Sequence, residues 1–296
     1  MFLPLILACS GAPDTEPEDS AEPAEPVRVV ALGDVHGDIE AARDALMLAG
    51  VLDEGDVWIG GTDHVVQVGD QLDRGDTERE ILDLFEELRV AAAEAGGAFY
   101  PLLGNHEVMN VELDLRYVTD GGFVDFADVD YDDDDAEVMA YPAEQRGRVA
   151  AFRPGGEYAL KLSEHLVILL LDGTLFVHGG VLPEHVDFGI DAINAETSAW
   201  MRGDGAPSAP MEGDDPPIWS RHYSDAPDDS DCALLDEVLT RTGAARMVVA
   251  HTVQEDGISA ACSDQVWRVD VGMSAYYGGS PEVLEIIDGQ VRVITP

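Results

Sequence analysis

An α/β layered domain with an inserted segment is the fold that the sequence predicts, and three observations carry that reading. Short apolar runs end repeatedly in Gly-Asp, Gly-Asn or His-Gly; helical stretches separate them; and one acidic stretch, residues 111–161, breaks the rhythm. Alternation of buried strands with helices implies sheets covered by helical layers.

Val27 to Leu32 reads as a buried strand that stops at Gly33-Asp34, and Ile39 to Ala49 then has helical spacing. His64 to Val68 is a second strand, stopping at Gly69-Asp70. Thr77 to Ala95 predicts a long amphipathic helix, because Ile81, Leu84, Phe85 and Leu88 fall on one face. Ala98 to Leu103 is a third strand, ending at Gly104-Asn105. Residues 111–161 contain the run Asp132 to Asp135 and predict a cap or lid. Strands resume at Leu166–Leu171, Thr174–Val177, Met247–Ala250, Val266–Val271 and Val283–Ile287, with a closing hairpin at Asp288-Gly289. Gly203 to Pro217 is a Pro-, Gly- and Asp-rich loop. One catalytic domain, residues 27–296, with the cap embedded in it, accounts for this pattern.

The 296 residues are 46 % hydrophobic, enough for a substantial core. Sixty acidic residues face sixteen basic ones, a formal charge of −44, and Lys161 is the only lysine. A field of that sign repels polyanions, so nucleic-acid binding is disfavoured. Any phosphate handled here must be drawn in by a local positive centre such as metal ions. Asp128, Asp130 and Asp132 alternate like a calcium loop, but the glycine and terminal glutamate of that pattern are missing. A solvated acidic loop is the better reading.

The N-terminus reads as a tether. Residues 1–9 end in Ile6-Leu7-Ala8-Cys9, which resembles a bacterial lipobox with Cys9 as the lipidated residue. Residues 10–26 form an acidic, Pro-rich linker without large hydrophobes, the composition of a disordered spacer. This predicts a lipoprotein of the bacterial cell envelope, periplasmic or anchored to the outer membrane, whose only membrane contact is its lipid. No Lys or Arg precedes the apolar run, so a cytoplasmic enzyme is the alternative. Export would leave Cys232 and Cys262 as an even pair in an oxidising compartment, with bonding between them open.

Five signatures sit at the carboxyl ends of predicted strands, where open α/β sheets place their sites. They are Gly33-Asp34-Val35-His36-Gly37, Gly69-Asp70-Gln71-Leu72-Asp73-Arg74-Gly75, Gly104-Asn105-His106-Glu107, His178-Gly179-Gly180 and Ala250-His251-Thr252. The first four join a glycine, which permits a tight turn, to Asp, Asn or His, and the fifth supplies a histidine; these are oxygen and nitrogen metal ligands. No thiolate accompanies them, so a structural zinc site is not indicated. A lone Gly-Asp at a strand end is ordinarily just a turn; five in this order are not.

The order and spacing of these motifs resemble the phosphoprotein phosphatase branch of the calcineurin-like metallophosphoesterases. Asn105 to Asn110 followed by Leu115-Arg116-Tyr117-Val118, with Pro154-Gly155-Gly156, Leu175 to Gly180 and Val271 to Gly279, narrows the resemblance to the Shewanella-like phosphatases. The resemblance covers roughly residues 27–287 and implies a layered β-sandwich flanked by helices. It also implies two divalent or trivalent metal ions (manganese, iron or zinc) about 4 Å apart. Asp34 and His36 would bind the first ion, Asp70 would bridge, and Asn105, His178 and His251 would bind the second. His106 would protonate the leaving oxygen, oriented by Asp73, while Arg74 and Arg221 (in Trp219-Ser220-Arg221) would hold the phosphate. The implied reaction is hydrolysis of phosphate monoesters by direct attack of metal-bound hydroxide. The implied substrates are phosphorylated proteins or peptides, with phosphotyrosine preferred, or small phosphomonoesters. A lipid-anchored binding protein on a retired phosphatase fold is the rival, and the presence of His106, Asp73, Arg74 and Arg221 argues against it. His64, His165, His185 and His222 are surface or packing residues in this reading.

Overall fold

Strands apolar along their whole length can only be satisfied by burial on both faces, and the chain meets that demand with two stacked sheets between helical layers. A computed structural model describes residues 27–296; the lipobox-like segment and acidic linker lie outside the described residues. In chain order its elements are β1 (Val29–Leu32), α1 (Ile39–Leu48), β2 (His64–Gln67), α2 (Glu78–Ala95), β3 (Ala98–Pro101), α3 (Asn105–Val111), α4 (Asp120–Asp125), α5 (Ala136–Met139), α6 (Arg146–Phe152) and α7 (Glu157–Leu162). There follow β4 (Ile168–Leu171), β5 (Thr174–Val177), α8 (Pro183–Phe188), α9 (Ile190–Met201), α10 (Asp229–Thr242), β6 (Arg246–Val249), β7 (Ser259–Ala261), β8 (Val266–Arg268), β9 (Val283–Ile287) and β10 (Gln290–Ile294).

The first sheet has the order β10-β9-β1-β2-β3 and the second β4-β5-β6-β8-β7. Strands β1, β2 and β3 run parallel, as do β5, β6 and β8, while β9, β10, β4 and β7 are antiparallel to their neighbours. Period-two alternation explains the layers. Val29, Ala31 and Val66 of the first sheet meet Phe176, Val248 and Val269 of the second in an inter-sheet core. The opposite faces of the same strands, Val30, Leu32 and Val65, pack on Ala42, Leu46, Ile81, Phe85 and Leu88 of α1 and α2. Leu175, Val177 and Met247 face Ile193, Trp200 and Leu235 of the remaining helices.

Local chemistry sets the ends. The Asp38 carboxylate accepts the Ala41 N–H at 3.1 Å and caps α1. Gly96, at φ 88°, closes α2 in the left-handed conformation. The β9–β10 hairpin turns at Asp288 and Gly289, both with positive φ, which suits the two-residue turn that the Asp-Gly pair predicts. β4 starts later than Leu166 because the Val167 and Ile168 N–H groups donate to Asn194 Oδ1 rather than to a neighbouring strand. β8 stops at Arg268, and the chain continues through Val269 into the site. β7 has no counterpart in the sequence reading, since Ser-Ala-Ala carries neither branched nor aromatic side chains.

Residues 111–161, expected to form a cap, hold four short helices. Phe126, Phe152 and Tyr158 from this segment belong to the same core as β5 and β6. Cys232 in α10 is bonded to Cys262 after β7, across a sequence separation of 30. Closing a loop of that length restricts the unfolded chain. Replacing both cysteines by serine should lower stability by roughly 2–4 kcal/mol, read from urea unfolding, with a larger m-value as the freed unfolded chain exposes more surface.

Candidate metal centre

The site grows from the places where the parallel strands stop. β1 delivers Asp34 and His36, β2 delivers Asp70, and β3 runs into Asn105 and His106 at the start of α3. From the second sheet, β5 delivers His178, β6 His251 and β8 Asp270. Both sheets therefore contribute, and the centre lies across the gap between their strand ends. Only a residue without Cβ fits at Gly33, where a Cβ would come within 2.5 Å of the Val269 carbonyl oxygen. That close approach joins the two sheets beside the site.

Backbone strain is concentrated here. His36, Asp70, Asp73, Arg74 and His251 all have positive φ, between 42° and 72°. Asp and His tolerate this region better than most side chains, but for Arg74 it is a costly conformation that persists because its surroundings hold it. The Glu107 carboxylate is one of those restraints. It accepts N–H donors from Gly104 at 2.7 Å, Asp70 at 2.9 Å, Gln71 at 2.8 Å and Leu72 at 3.1 Å.

The side chains then converge. His178 Nε2 lies 3.1 Å from Asp70 Oδ2, from Asn105 Oδ1 and from His251 Nδ1. His36 Nε2 lies 3.7 Å from Asp34 Oδ2 and 3.8 Å from Asp70 Oδ2. Hydrogen bonds on the far side settle which ring nitrogens face inward. His178 Nδ1 donates to the Val68 carbonyl at 2.9 Å, and His36 Nδ1 donates to the Leu72 carbonyl at 3.1 Å. Each imidazole is thereby left with its Nε2 lone pair aimed at the cluster, the arrangement of a metal-ligating histidine.

One proton cannot satisfy so many acceptors. Buried Asp34 Oδ1 and His251 Nε2 have no hydrogen-bond partner. Burial, with the Asp270 and Asp70 charges behind it, pushes the Asp34 carboxyl well above its usual pKa. Burial likewise lifts Glu107 to about 7 and Asp270 to about 6. It lowers His36 to about 4 and His251 to about 2. Asp70 and His178, 3.1 Å apart, favour the opposite, ionised states, so the Asp70 carboxyl lies well below its usual range; the pocket as a whole is rich in lone pairs, and this donor set of oxygen and imidazole nitrogen fits divalent cations. Two groupings able to hold an ion are His36, Asp70 and His106, and Asp70, His178 and His251. Asp70 belongs to both.

His106 differs from the other imidazoles, because its Nδ1 is engaged by Asp73 Oδ2 at 2.5 Å. Burial opposes its protonation, but Asp70 and Asp73 outweigh burial and hold its pKa above the usual histidine value. With Nδ1 held by a carboxylate, the ring is placed to carry a donatable proton on Nε2. Arg74 stacks over the Tyr117 ring at 4.0 Å, and Arg221 Nη1 donates to Thr252 Oγ1 at 2.6 Å. Asp34, His36, Asp70, Asn105, His106, His251, Arg74 and Arg221 line one cavity of about 110 Å³, together with Tyr117, Trp219 and Tyr277. His178 and Asp73 lie directly beneath it, in contact with Asp70 and His106. All ten residues singled out in the sequence are thus brought to one place.

Others were not singled out. Asp270 follows a strand in Val269-Asp270-Val271-Gly272, the same signal as the other motifs. Glu107 lay within a motif, though without a role. Asn110 likewise closed a quoted motif without a role, and Arg148 and Glu78 leave no local signature. Arg116, part of the quoted Leu115-Arg116-Tyr117-Val118 motif, is exposed and paired with Asp114 at 2.6 Å. His165 and His185 are buried packing residues, as expected.

Residues 27–255 match the calcineurin-like phosphoesterase family. The chain is 39 % identical to Shewanella-like protein phosphatase 2 of Arabidopsis thaliana, over 92 % of this chain and 78 % of that protein. Shewanella-like protein phosphatase 1 of Plasmodium berghei is 27 % identical, over 90 % of this chain and 74 % of its own length. The crystal structure of a cold-active protein-tyrosine phosphatase from a psychrophilic Shewanella superposes with a TM-score of 0.71 at 26 % identity, covering 91 % of this chain and 80 % of that one. The fold and site define a metallophosphoesterase, a hydrolase of phosphate esters. Within that class the chain belongs to the calcineurin-like phosphoesterase family, in its Shewanella-like phosphatase branch.

Occupancy of the cluster should stabilise the fold, because ions bind the folded state alone. Free manganese at about a hundred times its Kd should add about 2.7 kcal/mol. Differential scanning fluorimetry should show a higher melting temperature with manganese, reversal by EDTA, and little response in His178→Ala.

Proposed function

We propose that the chain is a dinuclear-metal-dependent phosphatase of phosphate monoesters, acting on phosphorylated proteins or peptides with a preference for phosphotyrosine. The position of Asp70 carries the dinuclear reading: its Oδ2 lies 3.1 Å from His178 Nε2 on one side and 3.8 Å from His36 Nε2 on the other, with Asp34 Oδ2 3.7 Å from that same His36 nitrogen. Asp34, His36 and Asp70 hold one ion, and Asp70, Asn105, His178 and His251 hold the other. Ions there, manganese, iron or zinc, supply an activated water and neutralise charge on the phosphoryl oxygens. Arg74 and Arg221, at the mouth of the cavity, bind the remaining phosphate oxygens, a task for which the guanidinium fork is suited. His106 releases the proton on Nε2 to the departing oxygen, and Asp73 orients the ring through Nδ1.

Two observations support the preference for an aromatic ester. The Shewanella neighbour is a protein-tyrosine phosphatase, and Tyr117, Trp219 and Tyr277 line the cavity, where a phenyl ring can pack against them. The Cys232–Cys262 bridge favours an oxidising compartment. With the lipobox resemblance at Cys9, it supports a cell-envelope location, testable by mass spectrometry of the mature N-terminus.

His106→Asn should lower turnover of a phosphotyrosyl peptide by about two to four orders of magnitude while elemental analysis still finds two metals per chain. Asp70→Asn should lose both ions together; retention of one at full occupancy would refute the shared ligand. Faster cleavage of phosphoseryl than phosphotyrosyl peptide of the same sequence would refute the preference.

A further inference from the structure

The segment between β3 and β4 buries a cation whose use the motifs leave unexplained. Arg148, in α6, has no solvent exposure, and among the described residues it is the one basic side chain so enclosed. All five of its N–H donors find acceptors. Nε donates to Asn110 Oδ1 at 2.8 Å, Nη1 donates to Glu78 Oε2 and to the Gly122 carbonyl at 3.1 Å, and Nη2 donates to Glu78 Oε1 at 2.9 Å and to Asp73 Oδ1 at 3.4 Å. The rings of Phe126 and Phe152 lie 5.1 and 4.9 Å from the guanidinium carbon.

Asp73 is the point where this network reaches the chemistry. One carboxylate oxygen, Oδ2, engages His106 Nδ1 at 2.5 Å. The other, Oδ1, accepts from Asn110 Nδ2 at 3.1 Å and from Arg148. Glu78, itself buried against Arg148, accepts the Asp73 N–H at 2.5 Å. A carboxylate held by one oxygen alone can swing; held at both, and with its backbone N–H tied, it keeps a single direction. We infer that Arg148 is a positioning residue for proton donation to the leaving group, fixing Asp73 and through it the ring of His106. Packing of α6 against the core thereby sets the aim of the imidazole. Lysine cannot substitute, since an ammonium has three donors around a point and no planar fork. The inference rests on His106 being the proton donor.

Leaving-group dependence separates positioning from mere support. Phenyl phosphate needs a proton on its departing oxygen, whereas 4-nitrophenyl phosphate, with a far less basic leaving group, needs it much less. In metal-loaded enzyme, Arg148→Lys should lower kcat on phenyl phosphate by roughly 10- to 100-fold with KM nearly constant, and on 4-nitrophenyl phosphate by less than about threefold. His106→Asn should show the same asymmetry, and adding Arg148→Lys to it should cost less than about threefold more. Equal losses on both esters, or a full additional loss in the double variant, would overturn the role of Arg148. Asymmetry in His106→Asn without asymmetry in Arg148→Lys would do the same while leaving His106 as donor. No asymmetry in His106→Asn would instead remove the donor assignment itself. A charge-balanced pair, Arg148→Met with Glu78→Gln, guards against misfolding and should show the same asymmetry. If melts by circular dichroism find neither form folded, Arg148 is a structural cation and the inference fails.

Discussion

Too few protons for too many buried acceptors is the condition around which this molecule is organised. Asp70 Oδ2, Asn105 Oδ1 and His251 Nδ1 each lie within hydrogen-bond distance of His178 Nε2, whose other ring nitrogen is already committed to the Val68 carbonyl. Hydrogen bonds alone cannot relieve such a cluster, and burial makes an unrelieved one costly. Cations relieve it directly. The strand ends, the glycine contact at Gly33, the left-handed residues and the fourfold grip of Glu107 all serve to hold this otherwise unfavourable assembly in place.

The parts visible in the sequence are those whose cause is local. A ligand on a tight turn needs glycine beside Asp, Asn or His, so Asp34, Asp70, Asn105 and His178 each carried their own signal, while His251 was marked only by its place at a strand end. Helix α2 announced itself by its apolar face, and β5 and β9 by runs of branched residues. Arg148 and Glu78 had no such mark, because their meaning lies in meeting each other across 70 residues of chain. β7 failed for a related reason: it exists because β8 offers it an edge, not because Ser-Ala-Ala prefers extension. Strand ends differed by one to three residues from expectation where side chains such as Asn194 took over backbone donors.

The charge distribution has two scales. Globally the chain is at −44, yet the cavity presents Arg74 and Arg221 at its mouth and invites cations to its floor. A phosphate ester approaches against a net negative field and finds two guanidinium groups together at this cavity. Arginine rather than lysine fills the basic positions there, consistent with anion binding by shape as well as charge. The same preference reappears inside, where Arg148 serves five acceptors at once.

One architectural detail reaches beyond chemistry. Asp34, His36, Asp70 and Asn105 come from one sheet, and His178 and His251 from the other. An ion coordinated by both groups would be a rivet through the seam of the sandwich, so its binding free energy would add to the cohesion of the two halves. A cell starved of the right metal would then accumulate not merely idle enzyme but a looser protein, exposed to proteases at that joint.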